Sequence, residues 1–301
     1  MPCYHSGRPA RQGRPKLRAM RFSFLAAATL ATLACVCAIA APFAARAATL
    51  PRPAHVVVVI EENHTLAQIV GNPHAPYLSA LAAHGALFVD AHGVTHPSLP
   101  NYFALFAGLE NTNGDGCPAH AVPARAPNLG SELDAAGFSF VGYAESLPAE
   151  DWKGCWAGPY ARKHVPWAQF TNLPRSASEP FSAFPTAFET LPTVAFVVPN
   201  VENDMHDGTV AQADDWAREH LDSLVRWAAA HDTLVVLTMD EGYDKTNSIP
   251  IIFVGPMVLP GRYAERIDHL NVLRTLEDMY GLAPTGAAAH VAPISDCWRA
   301  R

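Results

Sequence analysis

The stretch HVVVVIEEN, residues 55–63, decides the fold. His55 to Ile60 is a continuous run dominated by β-branched apolar residues, and Glu61, Glu62 and Asn63 follow at once. A run without polar alternation predicts a strand buried on both faces, the hallmark of a parallel sheet covered by helices. The abrupt polar ending places acidic and amide groups at the strand's carboxyl end, where open α/β sheets collect their function.

The same pattern repeats along the chain. Further strands are predicted at 86–91 (ALFVDA), 138–144 (FSFVGYA), 193–199 (TVAFVVP), 233–239 (TLVVLTM) and 249–255 (IPIIFVG). Between them, helices are expected over 75–83, from Leu99 to Gly108, over NLGSELDAAG (128–137), over 211–230 and over DHLNVLRTLEDMYG (268–281). The 211–230 helix is amphipathic, with Trp216, Leu221, Leu224 and Trp227 on one side. Strands alternating with helices predict an α/β fold, a largely parallel central sheet with helices on both faces. The Pro- and Ser-rich stretch 172–190 reads as a surface excursion, and no internal repeat or linker divides the chain.

Polar residues gather at three strand ends: EEN (61–63), NVENDMHDG (200–208) and DEGYD (240–244). One such cluster is ordinary turn chemistry; three on one edge predict a convergent site. Glu62, Asn63, Asp240 and Glu241 offer oxygen ligands, which suit magnesium, calcium or manganese and remain compatible with zinc. The bland alternative makes Glu62 and Asp240 helix caps or ion-pair partners.

Ser98, in THPSLPNYFALFAGL (95–109), begins a predicted helix, where backbone N–H groups and the positive dipole end favour an anion. A serine hydroxyl needs a base, a lowered pKa or a metal to become a nucleophile. With a cation held by the four oxygen donors, Ser98 would be a further ligand, and Asn101, one turn on, would face the same oxyanion. The alternative makes Ser98 the helix N-cap with Pro100 near the first helical position. The two roles are compatible.

Together, VVVVIEENHTLAQIVGNPHAPYLSALAAHGALF, THPSLPNYFALFAGL, PNVENDMHDG, TLVVLTMDEGYD and HLNVLRTLEDMYGL resemble, in their order, the bacterial phosphoesterase family of secreted acid phosphatases and phospholipases C. That family lies within the alkaline-phosphatase-like superfamily, and the resemblance spans nearly all of 55–282. It implies a three-layer sandwich, a divalent metal on Glu62, Asn63, Asp240 and Glu241, and a phosphoseryl intermediate on Ser98. It also implies that Asn101 binds a phosphate oxygen and that His206 protonates the leaving group or binds phosphate, oriented by Asp204 and Asp207. Asp204 is implied as a substrate contact as well, and Lys163 and His164, in RKHVPW, and His269, opening the last helix, as weaker ones. Where larger phospholipases continue their acidic segment through two glycines to a histidine, this chain has the shorter DEGYDKTN, which favours the compact acid-phosphatase branch.

Residues 1–47 are expected to be a secretory signal: basic up to Arg21, uncharged from Phe22 to Ala45, and closed by the small-x-small Ala45-Arg46-Ala47. Met20 is an alternative start to Met1, and an uncleaved anchor is the competing reading of the uncharged segment. Cleavage leaves 48–301 as one catalytic domain in the periplasm or outside the cell, with no stable membrane anchor. Removing seven basic residues from 21 leaves 14 against 28 acidic ones, a net charge of −14. Such a surface repels polyanions and argues against a nucleic-acid partner. The expected partner is a small phosphorylated substrate or a lipid head group. Of the remaining cysteines, Cys117 and Cys155 would pair in an oxidising compartment with Cys297 left over, or the pairing differs.

The leading expectation is therefore a secreted metal-dependent phosphomonoesterase. A phospholipase C or other phosphodiesterase keeps the chemistry and changes the substrate; a binding protein keeps only the fold. A serine acyl hydrolase is disfavoured because no G-x-S-x-G surrounds Ser98.

Overall fold

The computed structural model describes residues 50–110, 114–117 and 122–300. The expected signal segment lies outside the described residues.

The central strand is β1 (His55–Glu61), whose residues from Val56 onward are all buried. Each of the four fully buried valines, Val56 to Val59, contributes about 1.5–3 kcal/mol of burial. In chain order β2 (Ala86–His92), β3 (Phe140–Ala144), β4 (Trp156–Ala157), β5 (Tyr160–Ala161), β6 (Ser178–Pro180), β7 (Val194–Val198), β8 (Thr233–Met239), β9 (Ile251–Val254) and β10 (Gly261–Asp268) follow. Eight of them form one sheet in the order β10-β2-β9-β8-β1-β7-β3-β6, and β4 and β5 form a small hairpin. Within the eight-stranded sheet only β9 runs against its neighbours β2 and β8, and the other pairings are parallel. β1 lies between β7 and β8, so the three strands with polar endings are adjacent.

The helices are α1 (Leu66–Ile69), α2 (Pro76–His84), α3 (Ser98–Ala107), α4 (Leu129–Ala135), α5 (Val210–Ala228) and α6 (His269–Tyr280). α3, α4 and α6 pack on one another, and α2 packs on α5. Burial of β1 on both faces requires this double covering. Local signals set the ends. The Thr209 side chain accepts from Gln212 N–H to open α5, and the Asp268 carboxylate accepts from Leu270 and Asn271 N–H to open α6. Gly108 and Gly281 close α3 and α6 in the left-handed region.

Two features depart from the sequence expectation. The 172–190 stretch is more than a surface excursion, because Ser178–Pro180 pairs with β3 as an edge strand. The mostly exposed, polar β10 pairs with β2. The structure joins Cys117 to Cys155 and leaves Cys297 as a buried thiol.

Gly108 has φ of 65°, and a Cβ built there would lie 2.2 Å from the Thr285 carbonyl oxygen. Gly137 has φ of 79° but open space around it. Gly137→Ala is therefore expected to cost only the left-handed penalty of about 1–2 kcal/mol, and Gly108→Ala substantially more. Equal midpoints for the two variants in urea would contradict this account of how α3 docks.

Candidate active site

The polar endings of β1 and β8 converge on the first turn of α3. After Glu61 the chain turns sharply, with Asn63 at φ of 61°, a region that asparagine tolerates. Asp240 Oδ1 accepts from the N–H groups of Asn63 (2.9 Å) and Glu241 (2.6 Å), which locks the two strand ends together. Glu62, Asn63, Asp240, Glu241 and Ser98 are all buried.

Ser98 is the first helical residue of α3, while Pro97 occupies the cap position and supplies no side-chain cap bond. The N-cap expectation for Ser98 is thus corrected: its hydroxyl is turned to the strand ends, with Oγ 3.1 Å from Glu62 Oε2 and 3.2 Å from Glu241 Oε1. Its single proton satisfies one of these carboxylates at a time.

Glu62 is the hub. Its Oε1 accepts from the Tyr102 hydroxyl at 2.8 Å and lies 3.0 Å from His164 Nε2. His164 Nδ1 faces Asp204 Oδ2 at 2.9 Å, and Tyr102 stacks on the imidazole ring with centroids 5.4 Å apart. Burial opposes charge on both members of the central pair, but their mutual attraction prevails. The Glu62 carboxyl is held down at about 2 and the His164 imidazolium is pushed up to about 10. Asp240 goes the other way: burial, reinforced by the charges of Glu62 and Glu241, raises its carboxyl well above the usual range.

A cleft of about 710 Å³ opens over Ser98, lined also by His96, Asp115, Lys163, His206, Glu241, Tyr243 and Lys245. Lys163 Nζ donates to Asp115 Oδ2 at 2.9 Å and lies 3.1 Å from His206 Nε2. An ammonium only donates, so that imidazole nitrogen accepts and the His206 proton sits on Nδ1, 2.7 Å from Asp207 Oδ1.

Several expected contacts lie elsewhere. Asn101 directs its amide away from the cleft: Oδ1 accepts from Thr95 N–H and Nδ2 donates to the Thr95 and Pro97 carbonyls. It fixes the 95–97 turn instead of presenting a donor to an oxyanion. His164 and Asp204 were expected at the substrate but are fully buried behind Glu62, their polar atoms engaged with one another, with Glu62 and with the His206 backbone. His269 is buried beneath β8, its Nε2 at 2.9 Å from the Met239 carbonyl.

Three residues near Ser98 carried no recognised signal. His96 pairs with Glu241 through Nδ1, Tyr102 with Glu62, and Asp115 with Lys163. Tyr102 lies four residues after Ser98, a helical spacing that marks the same face; His96 and Asp115 sit outside any periodic element.

The donor set fits a divalent cation. Asn63 Oδ1 and Asp240 Oδ2 are buried oxygens without a hydrogen-bond partner, and such orphans are costly unless something fills the role. Glu62, Asp240 and Glu241 crowd three carboxyl groups around Ser98, with His164 and Lys163 setting positive charge against them. Ligand atoms of Glu62, His164 and His206 also lie within 4.8 Å of one another, so a nitrogen-containing arrangement shares the edge.

Residues 72–283 match the profile of the Phosphoesterase family. A phosphatidylinositol-3-phosphatase from Mycobacterium tuberculosis is 51% identical over 258 residues, covering 84% of this chain and 85% of that one. An acid phosphatase from Aspergillus fumigatus is 29% identical, covering 68% of this chain and 51% of that protein; the chain spans about half its length. In fold, an alkaline phosphatase superfamily protein from Vibrio parahaemolyticus superposes with a TM-score of 0.59 at 12% identity, covering 82% of this chain and 72% of that one. The chain belongs to the Phosphoesterase family. It is a hydrolase of phosphoric esters on an alkaline-phosphatase-like fold.

His164→Ala would strand Glu62 and Asp204 as buried charges, a loss of about 3–5 kcal/mol at neutral pH. Because Glu62 is depressed from 4.5 to about 2, its share of stability is present above pH 4.5 and lost as pH falls toward 2. The penalty should therefore shrink as the solution is acidified. A melting temperature within about 2 °C of the parent at pH 7 would contradict the hub role of the pair.

Proposed function

We propose that the chain is a secreted or periplasmic, metal-dependent phosphomonoesterase in which Ser98 is the nucleophile. The supporting observation is the position of Ser98 Oγ, between two carboxylate oxygens at 3.1 and 3.2 Å, on the floor of the cleft that Lys163 and His206 line.

Ser98 passes its proton toward a carboxylate oxygen it already bonds and forms the new bond to phosphorus as the ester P–O bond breaks. The N-terminal turn of α3 and the Lys163 ammonium favour the phosphoryl charge. Once substrate draws Lys163 off its Nε2, His206 takes up a proton there from solvent and gives it to the departing oxygen, with Asp207 holding the other ring nitrogen. Water then attacks the phosphoserine and regenerates the hydroxyl. A divalent cation on Glu62, Asn63, Asp240 and Glu241 would supply positive charge at the attacking oxygen and the phosphoryl group.

The relatives named as phosphatases favour monoesters, and the mycobacterial name favours a phosphorylated lipid head group among them. The Cys117–Cys155 bridge supports an oxidising compartment, in line with the signal segment expected at 1–47 and a catalytic domain from 48. No helix among the described residues is long and apolar enough to cross a membrane.

Ser98→Ala is expected to lower kcat/KM for p-nitrophenyl phosphate by on the order of 10³-fold or more with an unchanged melting temperature; full activity would remove the nucleophile. Faster turnover of bis(p-nitrophenyl) phosphate than of the monoester would favour the diesterase alternative.

Stripping with chelator should abolish activity and lower the melting temperature. Readdition of one of magnesium, calcium, manganese or zinc should restore both, with about 2.7 kcal/mol of stabilisation at 100 times its Kd. An unaltered rate after stripping would remove the metal.

A further inference from the structure

Asp115 belongs to none of the groups so far given a role, yet it touches two of them. Its Oδ1 accepts from the Leu99 N–H at 2.9 Å, and its Oδ2 accepts from Lys163 Nζ at 2.9 Å. Leu99 directly follows Ser98 in the first turn of α3, the turn whose own cap residue, Pro97, provides no side-chain bond. One carboxylate thus caps the nucleophile's helix from a distant loop and ties the cleft's buried lysine to that helix. Lys163 continues the line to His206.

The attachment of Asp115 is covalent two residues on. Cys117 is bonded to Cys155, 38 residues away in sequence, at the start of the segment that leads through the β4–β5 hairpin to Lys163. Both partners of the Asp115–Lys163 ion pair therefore hang from the same crosslink. A backbone bond, Arg162 N–H to the Cys155 carbonyl at 3.0 Å, closes that hairpin beside the lysine.

We propose that Asp115 is a positioning residue that sets Lys163 against the first turn of α3, and that the Cys117–Cys155 disulfide holds it there, so that phosphate binding in the cleft depends on the oxidised bridge. The proposal rests on the phosphatase reading of the same cleft. Reduction by dithiothreitol, which gives two electrons and two protons to the bridge and becomes a cyclic disulfide, yields two thiols and frees the Asp115 segment. Lys163 then loses its tether and binds the phosphoryl oxygens from a less ordered position. Because the ammonium meets phosphate in ground and transition states alike, the loss falls mainly on KM.

The test compares the parent with Asp115→Ala, Asp115→Asn and Cys117→Ser/Cys155→Ser, each with and without dithiothreitol. Steady-state kinetics on p-nitrophenyl phosphate are paired with calorimetric binding of inorganic phosphate. Asp115→Ala should lower kcat/KM by about tenfold to a hundredfold, mostly through KM, and weaken phosphate binding by a similar factor. Asp115→Asn, which keeps an acceptor oxygen for Leu99 N–H but loses the charge toward Lys163, should fall between. The double cysteine variant, and the reduced parent, should match Asp115→Ala, and dithiothreitol should have no further effect on Asp115→Ala.

The proposal is overturned if Asp115→Ala leaves KM and phosphate affinity unchanged, or if dithiothreitol weakens Asp115→Ala as much as the parent. A loss carried by kcat and melting temperature, with KM and phosphate affinity intact, also overturns it, since a merely structural role would give that result. Retained activity in Ser98→Ala would instead strike the nucleophile assignment and leave the phosphate-affinity comparison standing.

Discussion

Buried negative charge is the constraint around which this site is built. Glu61, Glu62, Asp204, Asp240 and Glu241 all lie out of solvent near the carboxyl ends of β1, β7 and β8. Isolated carboxylates in such surroundings are prohibitively costly, and their neighbours respond to that cost. Glu62 keeps its charge because His164 and Tyr102 both serve it. Burial drives Glu61 and Asp240 toward the neutral form, each reinforced by nearby acids. The charge that stays on Glu62 needs a positive partner, and His164 supplies it. The oxygens of Asn63 and Asp240 that lack partners are where the proposed cation would supply further positive charge.

Topology explains why the charges meet. Parallel strands deliver successive carboxyl ends to one edge, so β7, β1 and β8 place NVENDMHDG, EEN and DEGYD side by side although they are far apart in sequence. α3 brings Ser98 to that edge with its hydroxyl turned to Glu62 and Glu241. The Cys117–Cys155 crosslink joins the segments that bring Lys163, paired with Asp115, to the same cleft.

Much of this was legible because the relevant signals are local. Unbroken apolar runs gave β1, β7 and β8; Gly108, Asp268 and Gly281 marked helix ends. The strand endings pointed to Glu62, Asn63, Asp240 and Glu241, which the fold does bring together. What escaped depends on partners distant in sequence. GRYAERID becomes β10 only because β2 offers it an edge, and three residues at 178–180 pair only because β3 does. The reversed direction of β9 is not encoded in a short apolar run. Asn101 and His164 were recognised as important residue types, but their orientation follows from contacts that no spacing reveals: the Thr95–Pro97 turn for one, two buried carboxylates for the other. Asp115 carries no local signal because its meaning lies in Leu99 and Lys163.

Ser98 is proposed to carry the phosphoryl group between substrate and water. Acid quenching of the metal-loaded enzyme during turnover of ³²P-labelled monoester, followed by peptide mapping, tests it most directly. An acid-stable label is expected on the peptide containing residues 95–109, located at Ser98 by fragmentation. Turnover with no protein-bound phosphate at any quench time, or label on a histidine or carboxylate instead, would contradict it.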